Sequence, residues 1–422
     1  MIKISKYDSG AFRRERTQAD ADVSAILKDV EKRGDAALYE YTLRFDGCKL
    51  NSMLVTQEEI ETAVEKAGPY FLETLEMAAK NIRAYHERQV NEGFIMAAPH
   101  KSYLGQKVTP IEKAGLYIPG GTASYPSTVL MNAIPAKIAG VSEIVAVTPP
   151  NKQGEIAPAV LAAAKVAGID KIFKVGGAQA VAALAYGTET IPKVDKIVGP
   201  GNRYVSSAKR LVYGLVDIDM IAGPSEILIV ADSTADPVCL AADLLSQAEH
   251  DALASAVLIT DSMELAEKVQ AEVERQLEIL PRSEIARQSI DNLSGIFLAS
   301  DIEEAIEIAN DIAPEHLELC VEEPMQYLPL VKNAGSIFLG HFTPEALGDY
   351  FAGTNHTLPT SGTARFASPL GVDSFVKKSS FIYYTKEALS EVQERIAYFA
   401  RQEGLEAHAR SVESRFRGDG NE

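Results

Sequence analysis

Several short stretches of this chain combine side chains that can move protons or hold a metal. In Ser246-Gln247-Ala248-Glu249-His250-Asp251, Gln247 and His250 stand three residues apart, so on a helix they share a face. An imidazole with an oxygen donor one turn away can hold a divalent cation. It can equally be a helix-terminal His that offsets the helix dipole. In Ala313-Pro314-Glu315-His316-Leu317 a carboxylate and an imidazole adjoin at a helix-to-strand junction. That pair suits general acid–base work, or is a loop Glu beside a structurally satisfied His. Gly348 to Thr360 packs Asp349, Asn355 and His356 between glycines and reads as a binding loop or a solvated one. The tail string Glu403-Gly404-Leu405-Glu406-Ala407-His408 reads by itself as an exposed helix end.

Glycine-rich turns form the second group: Tyr117 to Thr122, Val175 to Ala180, Val198 to Arg203 and Ile221 to Glu226. Each is read as following a strand, the edge where open α/β sheets bind ligands. Glycine lets a backbone approach a ligand closely, and helix N-termini attract phosphate. Singly, each is also an ordinary strand-to-helix turn. No G-x-G-x-x-G occurs, so standard Rossmann dinucleotide binding lacks its motif.

These groups must be carried by regular elements, and the patterning supplies them. Up to about residue 103 the chain reads as helical, with a Thr56/Glu59 capping box and apolar spacings of three and four over Ala19–Glu31 and Tyr70–Val90. From about Val108, β-branched runs alternate with Ala-rich segments. Strands are expected at 144–148, 171–175, 196–198 and 217–221, with helices at 156–166, 178–186 and 204–213. The rhythm restarts with strands at 226–230, 256–260, 295–298, 317–321 and 336–339, and helices at 236–249, 263–280, 302–312 and 324–332. Such alternation predicts two successive doubly wound units with parallel sheets. The tail from about Ser374 offers one strand (381–385) and two helices (387–399, 405–416), too little to form a core alone, so it must dock on the body or on a second chain.

Composition narrows the function. The chain has 422 residues, a net charge of −18 and a 46% hydrophobic fraction, which suits a soluble globular protein of two to three domains. Its acidity argues against nucleic acid, which needs a basic face. No apolar run of about 18 residues exists to span a membrane, and Met1 to Gly10 is too polar for a signal peptide. The three cysteines, Cys48, Cys239 and Cys320, form no Cys-x-x-Cys, so a Cys-rich zinc site is not expected. His86, His100 and His341 have no partner pattern and read as structural. The expectation is a cytoplasmic enzyme or small-molecule binder.

Taken together, the strings resemble the histidinol dehydrogenase family, which completes histidine biosynthesis. Those that carry the resemblance run in the family's order: Gly115 to Gly121, Tyr125 to Asn132, Val175 to Ala180, Gly199 to Asn202, Ala222 to Glu226, Ser246 to His250, Ala313 to Leu317, Gly348 to Thr360 and Gly404 to His408. The resemblance implies an α/β fold of two incomplete Rossmann-like domains, 19–116 with 227–373 and 117–226, after a segment 1–18 and before a tail domain 374–422. It implies a homodimer with swapped tails and NAD as co-substrate. One zinc ion per subunit would be held by Gln247, His250, Asp349 and His408, a thiolate-free set that would also tolerate manganese or cobalt. The implied reaction oxidises L-histidinol through an aldehyde to L-histidine. His316 would act as base and Glu315 would activate water. The zinc ligands, Glu315, His316, Ser225 and Glu403 would contact substrate, and Tyr117, Gln179 and Asn202 would line the NAD site.

Overall fold

Two parallel sheets form from the β-branched runs. In the computed structural model, which describes residues 1–8, 20–120 and 124–416, one sheet has five strands in the order Lys171–Lys174, Glu143–Thr148, Lys113–Tyr117, Lys196–Val198, Asp217–Ile218. The other has six, in the order Ile4–Lys6, Gly295–Leu298, Ser255–Thr260, Glu226–Ala231, His316–Cys320, Ser336–Leu339. Every pairing within these two sheets is parallel. Ala19, Gly121, Thr122 and most of the 1–18 segment lie outside the described residues.

The strands are apolar on both faces because helices cover both. Ile227 and Ile229 pack with Leu240, Leu244 and Leu265 on one side, while Leu228 and Val230 pack with Ile302, Ile306 and Leu317 on the other. The five-stranded sheet divides the same way: Leu116, Ile144 and Ala146 face one core, and Tyr117, Val145 and Val147 the other. This is the period-2 alternation of a doubly covered sheet.

Several elements depart from the sequence reading. The N-terminal region is not wholly helical: Ile4–Lys6 is an edge strand, and Phe94–Ala98 and Ser102–Pro110 form an antiparallel pair. Helices Ser283–Leu293 and Glu345–Tyr350 and the strand Lys113–Tyr117 are additional. The strand expected over 217–221 ends at Ile218, because the Asp219 carboxylate then takes the Met220 N–H at 2.6 Å and the Gly199 N–H at 2.7 Å. The Thr56/Glu59 capping box is present as expected, with both reciprocal hydrogen bonds formed.

The chain divides into two compact units, Met1–Val90 with Ile111–Phe375, and Asn91–Pro110 with Val376–Glu422. The first holds both parallel sheets. The second is a three-stranded antiparallel sheet, ordered Val376–Tyr383, Ser102–Pro110, Phe94–Ala98, with the helices Lys386–Gln402 and Glu406–Glu413. Among its described residues the buried apolar cluster is Ala397, Ala400 and Ala409, too small to stabilise it by burial alone.

Candidate active site

Glu315 and His316 enter the six-stranded sheet at its amino edge, where His316 opens its strand opposite Ile227 and Ser336. The main chain of Glu226, on the neighbouring strand, holds both. Its N–H donates to Glu315 Oε2 at 2.9 Å, and its carbonyl accepts from His316 Nδ1 at 2.9 Å. The second strand neighbour closes the other side: Ser336 N–H donates to the Glu315 carbonyl at 2.9 Å. Gly335 must lack a side chain here, since a Cβ would lie 2.5 Å from that carbonyl oxygen.

Both side chains are buried, at 7% and 3% exposure. With Nδ1 committed to the Glu226 carbonyl, the other ring nitrogen of His316 is the reactive one. His316 Nε2 has no hydrogen-bond partner, and faces Asp349 Oδ1 at 3.6 Å and Glu345 Oε1 at 4.0 Å. Burial alone would lower the His316 pKa, but Glu315, Asp349 and Glu345 outweigh it and push it up to about 10. Burial raises Glu315 to about 8, with Glu226 and Asp349 adding to the rise and His316 opposing it.

The Asp349 and Glu345 carboxylates come from one turn of the helix Glu345–Tyr350, four residues apart and therefore on one face. One atom each of His316, Glu345 and Asp349 lie within 4.8 Å of one another, close enough to share a cation. Burial raises Asp349, but His316 and His356 override it and hold the carboxyl near 2. Burial and the Asp349 charge raise Glu345 to about 7. His356 fixes the back of Asp349: its Nδ1 lies 3.1 Å from the Asp349 carbonyl and its Nε2 3.3 Å from Thr128 Oγ1. Gln247, buried at the end of the helix Pro237–Ala248, hydrogen-bonds Glu345, and His250 is exposed just beyond that helix. The sequence reading has no role for Glu345. Its spacing to Asp349 after the helix-starting Pro344 is the signal that would have found it.

The glycine turns gather at the carboxyl edge of the five-stranded sheet. Tyr117 ends its strand buried, and its hydroxyl accepts the Gly177 N–H at 3.0 Å. Burial raises that hydroxyl to about 12. Gln179 is buried one turn into the helix Gly177–Tyr186. Gly199 has φ +111°, and a Cβ on it would stand 2.1 Å from the Tyr117 carbonyl oxygen. Asn202 is exposed and caps the helix Arg203–Val212, accepting from Tyr204 N at 3.1 Å and Val205 N at 3.2 Å. The Ile221–Glu226 turn then crosses from the carboxyl edge of one sheet to the amino edge of the other. There, half-buried Ser225 lines a cavity of about 60 Å³ together with Pro200, Asp219, Glu315 and His356. Two of the glycine-rich turns, through Pro200 and through Ala222 to Ser225, therefore open on the same space as Glu315. Glu403 and His408 belong to the second unit and are exposed.

A buried acid–base pair, carboxylates grouped for a cation and a glycine-lined sheet edge together mark an α/β enzyme equipped for acid–base chemistry beside a cation. The comparisons give the particular family. The sequence profile described as histidinol dehydrogenase matches residues 11–416. A histidinol dehydrogenase of Bacillus cereus is 58% identical over 395 residues, covering 94% of this chain and 92% of that protein. One from Geobacillus kaustophilus is 56% identical over 419 residues, covering 98% and 99%. The crystal structure of histidinol dehydrogenase from Elizabethkingia anophelis superposes with a TM-score of 0.94 at 40% identity, covering 98% of each chain. The chain belongs to the histidinol dehydrogenase family, oxidoreductases of histidine biosynthesis. No helix among the described residues is long and apolar enough to cross a membrane.

Proposed function

We propose that this enzyme carries out the zinc- and NAD-dependent, four-electron oxidation of L-histidinol through L-histidinaldehyde to L-histidine, as a cytoplasmic homodimer with swapped tails. The observation that carries the reading is the partnerless, buried Nε2 of His316, which faces the Asp349–Glu345 pair while Nδ1 lies 3.7 Å from Glu315 Oε2.

The residues present fit a divalent cation. The positive charges that offset the Asp349 carboxylate are imidazoles, and the unsatisfied His316 Nε2 is held among acids. In this reading Gln247, His250 and Asp349 hold the zinc with His408 of a second copy, an N/O set without thiolate. Bound there, the zinc would seat the substrate's imidazole and amine and offset the carboxylate charge that keeps His316 protonated. The glycine-lined strand ends beside Tyr117, Gln179 and Asn202 suit a dinucleotide. Ser225, and Glu403 of the second copy, would contact the substrate. The large apolar side chains that the second unit exposes, Ile382, Tyr383, Tyr398 and Phe399, support a dimer.

The residues divide the chemistry as follows. His316 Nε2 accepts the hydroxyl proton while the carbinol carbon loses its first hydride to NAD. The resulting aldehyde gains water, which Glu315 deprotonates as it attacks the carbonyl carbon. Burial makes the Glu315 carboxylate more basic than an exposed one, which favours its taking a proton from water. The hydrated aldehyde then loses its second hydride to a second NAD, with His316 again taking the hydroxyl proton. In sum, histidinol, water and two NAD give histidine, two NADH and three protons.

The test is NADH formed per L-histidinol, with and without a chelator. Two NADH per substrate, abolished by chelation and restored by zinc, is the expected result. No NADH from histidinol, with turnover of another alcohol, would overturn the substrate and keep the scaffold.

A further inference from the structure

Outside the acid–base and metal groups, the described residues of the first unit include one further charged pair that is almost wholly shielded. Lys209 and Asp219 have side chains only 2% and 1% exposed, and they are joined as an ion pair. Burying two charges is costly, and such a pair is weak evidence for stability in its own right. What it holds is therefore informative.

It holds Gly199 at both ends. Lys209 Nζ donates to the Gly199 carbonyl at 3.0 Å, and Asp219 Oδ2 accepts the Gly199 N–H at 2.7 Å. Asp219 Oδ1, which takes the Lys209 ammonium, also accepts the Met220 N–H at 2.6 Å. Gly199 is the residue whose backbone passes so close to Tyr117 that no Cβ fits. Lys209 sits in the helix Arg203–Val212, which Asn202 caps, and from the same helix Ser206 Oγ donates to the Ala222 carbonyl at 2.9 Å. The turn continues from there: Gly223 N–H donates to Thr360 Oγ1 at 2.6 Å, and Glu226 grips Glu315 and His316. Pro200, Asp219, Glu315 and His356 line the same small cavity.

We infer that the Lys209–Asp219 pair is a positioning device for the dinucleotide half of the site, fixing the Gly199–Asn202 turn against Tyr117 and at a set distance from the Glu315–His316 pair. This rests on the dinucleotide reading given under Proposed function. Neither residue needs to touch substrate. Their part is to keep the hydride acceptor within transfer distance, where an error near 1 Å costs on the order of a hundredfold in rate.

The test compares the zinc-loaded wild-type enzyme with Lys209→Met/Asp219→Leu, which leaves no orphaned charge, and with Asp219→Asn, which keeps the shape and one acceptor. The double variant should raise KM for NAD at least tenfold and raise the deuterium isotope effect on kcat with carbinol-deuterated histidinol. Its KM for histidinol and zinc content should stay within twofold of wild type. Asp219→Asn should shift the same quantities in the same direction by a smaller factor, and it decides the matter if the double variant does not fold. A folded variant with wild-type KM for NAD and an unchanged isotope effect overturns the inference, as does an equal rise in both KM values. If wild type bound NAD calorimetrically but formed no NADH from histidinol, the proposed reaction would fall. The calorimetric NAD affinities of wild type and variants would still decide the role of the pair.

Discussion

A single methyl group placed at Gly335 should disable the acid–base pair without touching it. The Cβ of Gly335→Ala would lie 2.5 Å from the Glu315 carbonyl oxygen and 3.2 Å from Pro359 Cδ. Real contacts of this kind begin at 3.0 Å and relax at 3.4 Å, so the Glu315 main chain and Gly335 must part by 0.5 to 0.9 Å. Neither can retreat freely. Gly335 N–H is tied to the Pro314 carbonyl at 2.9 Å and Ser336 N–H to the Glu315 carbonyl at 2.9 Å, so the added methyl strains the joint it sits on. Displacement of this size at a catalytic group costs about ten- to a hundredfold in rate. Overpacking adds about 1–3 kcal/mol of destabilisation. The assay is NADH formation at saturating histidinol, run beside formation from the aldehyde, where the water-activating role proposed for Glu315 is isolated. Both should fall by at least tenfold, and the aldehyde step by at least as much as the overall reaction. Gly295→Ala is the control. Its Cβ would meet the ring of Phe297 at 3.3 Å, within the strand Gly295–Leu298 and away from the Glu315 junction, and its kcat should stay within twofold of wild type. A folded Gly335→Ala enzyme with wild-type kcat would refute the claim that the strand junction sets the position of Glu315.

Three further predictions follow from other parts of the molecule. Asp46, with Oδ2 buried and unpartnered, is raised by burial from 3.8 to about 6, so the folded state binds its proton more tightly than the unfolded chain does. That costs stability as pH rises through this window: roughly 3 kcal/mol from the shift, discounted to about 1–2 for partial exposure. Asp46→Asn should therefore raise Tm at pH 7.5, with the gain shrinking below pH 6 and gone near pH 4; a gain independent of pH would contradict the cause. His250→Asn and His408→Asn subunits, each inactive alone, should recover part of the activity when mixed, and no recovery despite verified subunit exchange would count against zinc ligation between subunits. Cys48 and Cys320 are buried and Cys239 exposed, and none belongs to the site, so the triple Ser variant should keep its turnover. Loss of turnover in a folded triple variant would assign one of them a role.

The sheets are legible wherever a strand is buried on both sides, because continuous Val and Ile runs such as Glu226–Ala231 then have no other explanation. The strands that escape the sequence reading lack that signature for identifiable reasons. Lys113–Tyr117 carries Gly115, whose missing side chain makes room for Leu184 at 2.9 Å, so a helix-packing requirement interrupts the local β pattern. Phe94–Ala98 has four exposed residues of five and so no alternation to read. Ile4–Lys6 is a three-residue edge strand whose partner, Gly295–Leu298, lies far along the chain.

The site divides along the same line between local and non-local information. Glu315 and His316 are adjacent, so their capacity for acid–base work is visible in the string itself, and so is the pairing of Gln247 with His250. What tunes them is assembled from distant segments. The Glu226 main chain that fixes the His316 tautomer is 90 residues away, and the Glu318 carboxylate that starts the Glu345–Tyr350 helix by accepting the Glu345 N–H at 2.8 Å is 27 residues away. Glu318, shielded from water and close to Asp243 and Glu345, is itself driven well above the usual carboxylate range. The acidic character of the site thus extends one layer behind the residues that a motif can name. A substitution behind the site, such as Glu318→Leu, takes away the acceptor that anchors the Glu345 N–H and so loosens the start of the helix that carries Glu345 and Asp349. Its effect on His316 runs through the placement of Glu345 and Asp349, and no inspection of the Glu315–His316 string would reveal it.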